Sequence, residues 1–212
     1  LLENFYGWKK PIETMIAITG TNGKTTISFL IHEILKKAKI TSALFGTIKN
    51  VIANTEVEST LTTPGKFELY SLLNTAKQKK CNALVMEASS HALDQGRLGG
   101  LQFDIAVFTN LSQDHLDYHG NMDEYFKAKQ KLFSYYHSGI AIVNDNDSYG
   151  RELAKNIESV WTYGTEFSNI KVINERKAKN NFILELETPK GKFTFEHNLV
   201  GSFNIENLQA AI

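Results

Sequence analysis

The stretch "ITGTNGKTT", residues 18–26, restricts what this chain can fold into more than any other. An apolar run, Met15 to Ile18, precedes it, and a run with helical spacing, Ile27 to Lys37, follows. A small polar turn with glycines between strand and helix has the form of a phosphate cradle. Gly20 and Gly23 let the backbone turn tightly and approach an anion with no Cβ in the way. Thr21 and Asn22 belong to the cradle, the amides at the helix start point at that anion, and the helix dipole adds to the attraction. Lys24 can reach terminal phosphate oxygens, and the Thr25 hydroxyl suits the magnesium ion that travels with a nucleotide. Thr26 completes the first helical turn. The common loop, G-x-x-x-x-G-K-[ST], starts with glycine, but Ile18 stands at that position here. A plain glycine turn with a capping threonine is the competing reading.

The rest of the chain supplies the setting such a loop needs. Strand-like runs at 15–19, 41–45, 83–86, 105–109 and 140–143 alternate with helix-like runs at 25–39, 66–80, 125–136 and 149–156. That alternation predicts one α/β domain, a mostly parallel sheet flanked by helices. After residue 159 the texture changes. Runs at 170–174, 182–186 and 192–196 read as a small antiparallel extension added at one edge, followed by a helix over 203–212. Ligands of open α/β sheets sit beyond the carboxyl ends of the strands. The chemically loaded stretches follow Thr19, Met86 and Phe108, three strand ends that feed one crevice.

Charge narrows the partners. Lys plus Arg equals Asp plus Glu at 23 each, so any anion site is local. A general nucleic-acid binder or a membrane-surface binder is not expected. No apolar run approaches the length of about 18 residues that a membrane span needs. The start, "LLENFYGWKKPIE", lacks the form of a secretion signal. The single cysteine, Cys81, reads as a buried structural thiol in a reducing, cytoplasmic setting. The end, "NIENLQAAI", is helical in pattern with no stop signal, as in a chain cut inside a helix.

The loop Gly-Thr-Asn-Gly-Lys-Thr-Thr resembles that of the Mur ligases and their folate-polyglutamating relatives, in which Gly-Thr replaces the glycine start. Further segments look like those of the Mur ligases, in family order. They are "LTTPGKFEL" (61–69), "VMEASSHALDQGR" (85–97), "FTNLSQDHLDYHG" (108–120), "YFKAKQKLF" (125–133), "VNDND" (143–147) and "GSFNIENLQAA" (201–211). E-x-S-S-H-x-L together with N-L-S-x-D-H-L-D-Y-H-G is most like the family member that adds the third residue of the peptidoglycan stem peptide. The resemblance implies a central ATPase domain over residues 1–212, a monomer, without its uridine-binding and acceptor domains. It implies ATP and Mg2+ as cofactors, and a UDP-MurNAc-dipeptide and a diamino acid as substrates. A non-catalytic nucleotide-binding module and a folylpolyglutamate synthase-like ligase are the alternatives.

Site residues follow from the same likeness. ATP-driven amide synthesis brings a carboxylate to a triphosphate, so metal ions and fixed cations must screen the repulsion. Glu87, at a strand end, pairs with Thr25 for one magnesium; its plainer role is to cap the next turn. His115 matches the ligand of a second magnesium or of the reacting phosphate. Lys129 matches the lysine that the family carbamylates. The chemistry needs a neutral amine, hence a depressed lysine pKa. By pattern alone, Lys127, Lys129 and Lys131 would form a solvated face. His115 and His119 have helical i, i+4 spacing, but zinc would need further ligands that are not evident. Asp114, Asp117 and His119 also read as turn residues. Thr62, Thr63, Ser89, Gln95 and Arg97 match contacts to the sugar–peptide substrate, and Arg97 could grip a carboxylate or phosphate through two donors. Pro64 makes a plain extended loop the alternative for the threonines. Asn204 and Asn207 match asparagines near the nucleotide base, with helix capping the alternative for Asn204.

Overall fold

The computed structural model describes residues 6–8 and 10–212. The opening stretch, read above as lacking a secretion signal, lies in part outside them. Eight strands form the main sheet: β1 (Thr14–Thr19), β2 (Ser42–Phe45), β3 (Asn50–Ile52), β4 (Thr55–Val57), β5 (Ala83–Glu87), β6 (Phe103–Phe108), β7 (His137–Asn144) and β8 (Val160–Tyr163). Their order is β4-β3-β2-β5-β1-β6-β7-β8. From β2 to β8 every pairing is parallel, and β3 and β4 turn back antiparallel at the β2 edge.

Alternation along the buried strands sends side chains to two faces. Met15 and Ala17 of β1 join Phe45, Met86 and Phe108 on one face. There they meet α2 (Lys66–Gln78), α3 (Ser90–Asp94), α5 (Met122–Tyr135) and α6 (Ser148–Ala154) through Leu69, Leu93, Leu132 and Leu153. Ile16 and Ile18 point the other way, onto Ile27 and Ile31 of α1 (Lys24–Lys37) and Ala210 of α7 (Ser202–Ala211). A further short helix, α4 (Leu116–His119), follows the β6 loop. Among the described residues no helix is long and apolar enough to cross a membrane. Cys81 is buried, and burial pushes its thiol pKa up.

Two expectations need correction. The antiparallel strands β9 (Lys171–Lys177), β10 (Phe182–Thr188) and β11 (Gly191–His197) do not extend the main sheet. They form their own three-stranded sheet, order β11-β10-β9. Among the described residues an isolated parallel bridge, Tyr163 to Ile170, stands between β8 and β9. Leu184 and Leu186 instead pack on Leu208 of α7. The main sheet does carry antiparallel strands at an edge, but they are β3 and β4, three residues each and joined by a tight turn at Ala53 (φ 56). Runs that short carry almost no periodicity. The change of texture also comes later than residue 159, because β8 pairs in parallel with β7.

Candidate functional site

β1 lies between β5 and β6, so the loop after Thr19 opens where the chain leaves the sheet in two directions. Steric limits fix the glycines. A Cβ on Gly20 would stand 1.8 Å from Thr109 Oγ1, and one on Gly23 would stand 2.6 Å from Asn207 Oδ1. Gly23 is left-handed, φ 88, and begins α1 with no side-chain cap, so the first amides of that helix are open to an anion.

The end of β6 anchors the loop. Thr21 N–H donates to Asn110 O at 2.9 Å, and Asn22 N–H donates to Asn110 Oδ1 at 3.0 Å. Thr109 Oγ1 donates to Asn22 O at 2.6 Å. The Thr21 hydroxyl meets Tyr125 OH at 3.2 Å and accepts from Ser112 N–H at 3.1 Å. The side chain of Thr21 therefore ties the loop to its surroundings. That leaves the Thr25 hydroxyl and the Lys24 ammonium as the loop's chemical side chains, with Thr26 lining the adjoining cleft.

Thr25 Oγ1 donates to Glu87 Oε2 at 2.9 Å. Glu87 is fully buried, an expensive place for a carboxylate unless its oxygens are occupied. Thr47, just after β2, occupies them. Thr47 N–H donates to Oε1 at 3.0 Å and Thr47 Oγ1 to Oε2 at 2.9 Å. The pairing of a carboxylate with a hydroxyl is a hard oxygen set suited to magnesium, which keeps several waters and takes few protein ligands.

Lys129 lies almost wholly inside, although it shares a helix with exposed Lys127. Its Nζ donates to Gly20 O at 2.9 Å and sits 4.4 Å from the centre of the Tyr125 ring. Lys24 Nζ donates to the same carbonyl at 2.8 Å, and to Thr21 O at 2.7 Å. Two ammonium groups on one carbonyl oxygen repel each other. Burial, then Lys24, pushes the Lys129 pKa well below the usual lysine value, against a weaker pull from Asp114. Ring attraction to Tyr125 works the other way, favouring the cation by about 2 kcal/mol where the pair is desolvated. Lys24 is also lowered by burial, but Glu87 and Asp114 oppose the shift.

His115 is exposed, with left-handed backbone at φ 51, a conformation that costs about 1–3 kcal/mol in a non-glycine residue. Its Nε2 lies 3.5 Å from Asp114 Oδ2. His119 turns away to meet Ser90 Oγ at 3.0 Å and stacks on Tyr125. His91, which the sequence did not single out, packs 4.9 Å from His115 and 5.5 Å from His119 between ring centres. Burial lowers the pKa of His91 and His119, and the neighbouring imidazoles add to it. Among the described residues no three His, Cys, Asp or Glu side chains are placed to hold a metal together.

The expected substrate residues form one connected group. Thr63 is buried; its Oγ1 donates to Glu87 O at 2.7 Å and accepts from Ser89 N–H at 2.9 Å. Thr62 is half-buried and faces Thr47 across 3.1 Å. The Arg97 fork grips Gln95 Oε1 through Nε at 2.9 Å and Nη2 at 2.6 Å, while Nη1 donates to Thr63 O at 3.0 Å. Ser89 also caps α3 by accepting from Ala92 N–H.

On the opposite side of the loop, Asn22, Gly23, Thr26, Asn110, Asn144, Tyr163, Phe203, Glu206 and Asn207 line a cleft of about 440 Å³. Asn207 faces it; Asn204 stands behind, accepting from Asn207 Nδ2 at 3.2 Å and donating to Val200 O. Gly201, not Asn204, is the cap of α7. Sequence reading missed Thr47, Asn110, Tyr125 and Glu206. The dipeptide Gly46-Thr47 at a strand end was the available signal for the first.

The chain matches the family described as Mur ligase middle domain over residues 18–212. It is 43% identical to the UDP-N-acetylmuramoyl-L-alanyl-D-glutamate–2,6-diaminopimelate ligase of Nostoc sp., over 98% of this chain and 43% of that protein. The ligase of the same name from Aquifex aeolicus is 40% identical, over 98% of this chain and 43% of its own length. A solved structure of a ligase so named superposes with a TM-score of 0.84 at 34% identity, over 94% of this chain and 42% of that one. MurF from Acinetobacter baumannii shares the fold, with a TM-score of 0.73 at 22% identity over the whole of this chain and 44% of its own. The chain thus spans less than half the length of these relatives.

Proposed function

The chain belongs to the Mur ligase family, as its middle domain, and from that premise we propose that it is the ATP-handling part of a peptidoglycan-precursor ligase. The reaction joins the D-Glu side-chain carboxylate of UDP-MurNAc-L-Ala-D-Glu to the amine of a diamino acid, with diaminopimelate favoured by the names of the relatives. ATP, with magnesium, would supply the activation: its γ-phosphoryl passes to the carboxylate, and the amine then displaces phosphate to leave the amide, ADP and inorganic phosphate. The domain would work between a uridine-binding domain and an acceptor domain.

The observation that carries this reading is the convergence on Gly20. Its amide begins the phosphate loop, its carbonyl accepts from Lys24 and Lys129, and the next helix presents Thr25 to buried Glu87. Lys24 would balance the terminal phosphates. Thr25 and Glu87 would hold one magnesium ion, and His115 and Lys129 a second charge centre. As a neutral amine, Lys129 can add CO2 and release a proton, which turns a buried cation site into a carboxylate-like oxygen ligand. Its depressed pKa supports that assignment, and Lys127, exposed and paired with Glu124 at 2.7 Å, has no such environment. Asn207, with Asn204 behind it, would face the base in the 440 Å³ cleft. Thr62, Ser89, Gln95 and Arg97 would face the muramyl peptide, with Thr63 setting their geometry from beneath.

Calorimetry of Mg-ATP with the chain tests the proposal. The unmodified chain should bind, and Lys24→Ala should bind at least about tenfold more weakly, 1.4 kcal/mol, with its circular dichroism unchanged. Equal affinity in the two proteins would sink the nucleotide assignment.

A further inference from the structure

Glu87 holds its place through a dipeptide that no sequence motif singled out. Its carboxylate is fully buried, and a buried carboxylate left short of donors either takes a proton or turns away. Gly46 makes room for it: a Cβ there would stand 2.3 Å from Glu87 Oε1. Thr47 then holds both oxygens, through its amide to Oε1 at 3.0 Å and its hydroxyl to Oε2 at 2.9 Å. Thr25 approaches Oε2 from the opposite element, also at 2.9 Å. A carboxylate only accepts, so Thr25 turns its single hydroxyl proton to Glu87, and Thr47 is placed to do the same. The lone pairs of Thr25 are thereby left for a cation. The Thr47 hydroxyl is placed to donate to Thr62 Oγ1 as well, at 3.1 Å, so its one proton has two acceptors, Glu87 Oε2 and Thr62 Oγ1. A line of hydrogen-bonding oxygens runs from Thr62 through Thr47 and Glu87 to Thr25.

We propose that Thr47 is a positioning residue for a divalent cation at Glu87. It fixes the carboxylate rotation in which Oε2 and the Thr25 hydroxyl face the nucleotide loop together, and it links that orientation to the loop carrying Thr62. Metal ligands depend on the partners that orient them, and loss of such a partner typically lowers metal affinity by about 10- to 100-fold. Thr47 is itself exposed, so replacing its hydroxyl by a methyl group disturbs no core packing. The inference rests on the nucleotide-site reading above.

The test uses the 212-residue chain and calorimetric titration of ATP at a series of Mg2+ concentrations. Thr47→Val keeps the shape and the amide donor but removes the hydroxyl. The Mg2+ concentration for half-maximal ATP binding should rise about 10-fold, while ATP binding in EDTA stays unchanged. Thr47→Ser, which restores the hydroxyl, should recover the original Mg2+ dependence. If Thr47→Val unfolds, Thr47→Ala replaces it with the same expected result. An unaltered Mg2+ dependence in either variant overturns the proposal, as does an equal loss with and without magnesium. Lys24→Ala separates the two claims. If it weakens ATP binding while Thr47→Val leaves the Mg2+ dependence alone, only the role of Thr47 falls. If Lys24→Ala has no effect, or the unmodified chain binds no ATP, the nucleotide-site reading falls first.

Discussion

The carboxyl edge of the main sheet and the small sheet of β9–β11 use polar residues in opposite ways. Along the edge, polar and charged groups are buried: Glu87, Lys129, Thr63, Thr109 and Asn144 are all inside. Each is held by hydrogen bonds that reach across the sequence, as from Thr47 to Glu87 and from Lys129 to Gly20. In the small sheet the polar side chains of β9 and β11 are largely exposed, His197 excepted, and Leu184 and Leu186 of β10 are buried. Buried polar groups destabilise unless satisfied, typically by about 1–3 kcal/mol each. A fold keeps so many at one edge where chemistry needs a low-dielectric, preorganised site. The small sheet packs on α7 instead. Through Leu184 and Leu186 it supports Leu208, one residue from Asn207 and the cleft.

This contrast is sharpest at Lys129. In a full-length ligase of the proposed kind, Lys129→Ala should lower turnover by about 100-fold or more, the scale for losing a preorganised electrostatic group, with little loss of folding stability. Steady-state ligation and urea denaturation measure the two quantities. Wild-type turnover would show that burial here serves packing alone. The small sheet should behave in reverse. Leu186→Ala removes a fully buried side chain and should destabilise by about 2–5 kcal/mol. The binding of ATP by the fraction that remains folded should weaken only modestly, through the shift of Leu208 and Asn207. A large binding loss with unchanged stability would break the division of roles.

A subtler effect separates Lys129 from its neighbour through pH. The folded pKa of Lys129 lies well below 10.5, so between the two values the unfolded chain holds a proton that the folded chain lacks. Stability should therefore rise with pH through that window. Below the folded pKa the cost of burying the charge is present in full. In CO2-free buffer, Lys129→Met should flatten the rise. The part due to Lys24, shifted in the same direction, remains. The smallest effect belongs to Lys127, which salt-bridges Glu124 in solvent. Lys127→Ala should leave the urea midpoint and the Mg-ATP affinity where they are, and a measurable fall in either would blur the line between the two faces of α5.

What could be read from sequence was local. Strand β1, its loop and α1 are contiguous, so apolar spacing, two glycines and Lys24-Thr25 carry their own geometry. The parallel sheet followed from the alternation of runs, and the position of the crevice followed from the rule for strand ends. Burial of Lys129 was not in the pattern, because a helix bearing Lys127, Lys129 and Lys131 reads as solvated. Only a likeness to a family set it apart. Tertiary structure alone decided that β5 and β6 flank β1, which sets Glu87 and Thr109 against a loop that lies far from both in sequence. It also decided that Thr47 holds Glu87, that His91 joins His115 and His119, and that the antiparallel strands after residue 170 stand as a sheet of their own. Periodicity reports which face of an element is apolar. It carries no information about which strand end will lie beside which, because that is set by packing two apolar faces of the whole sheet at once.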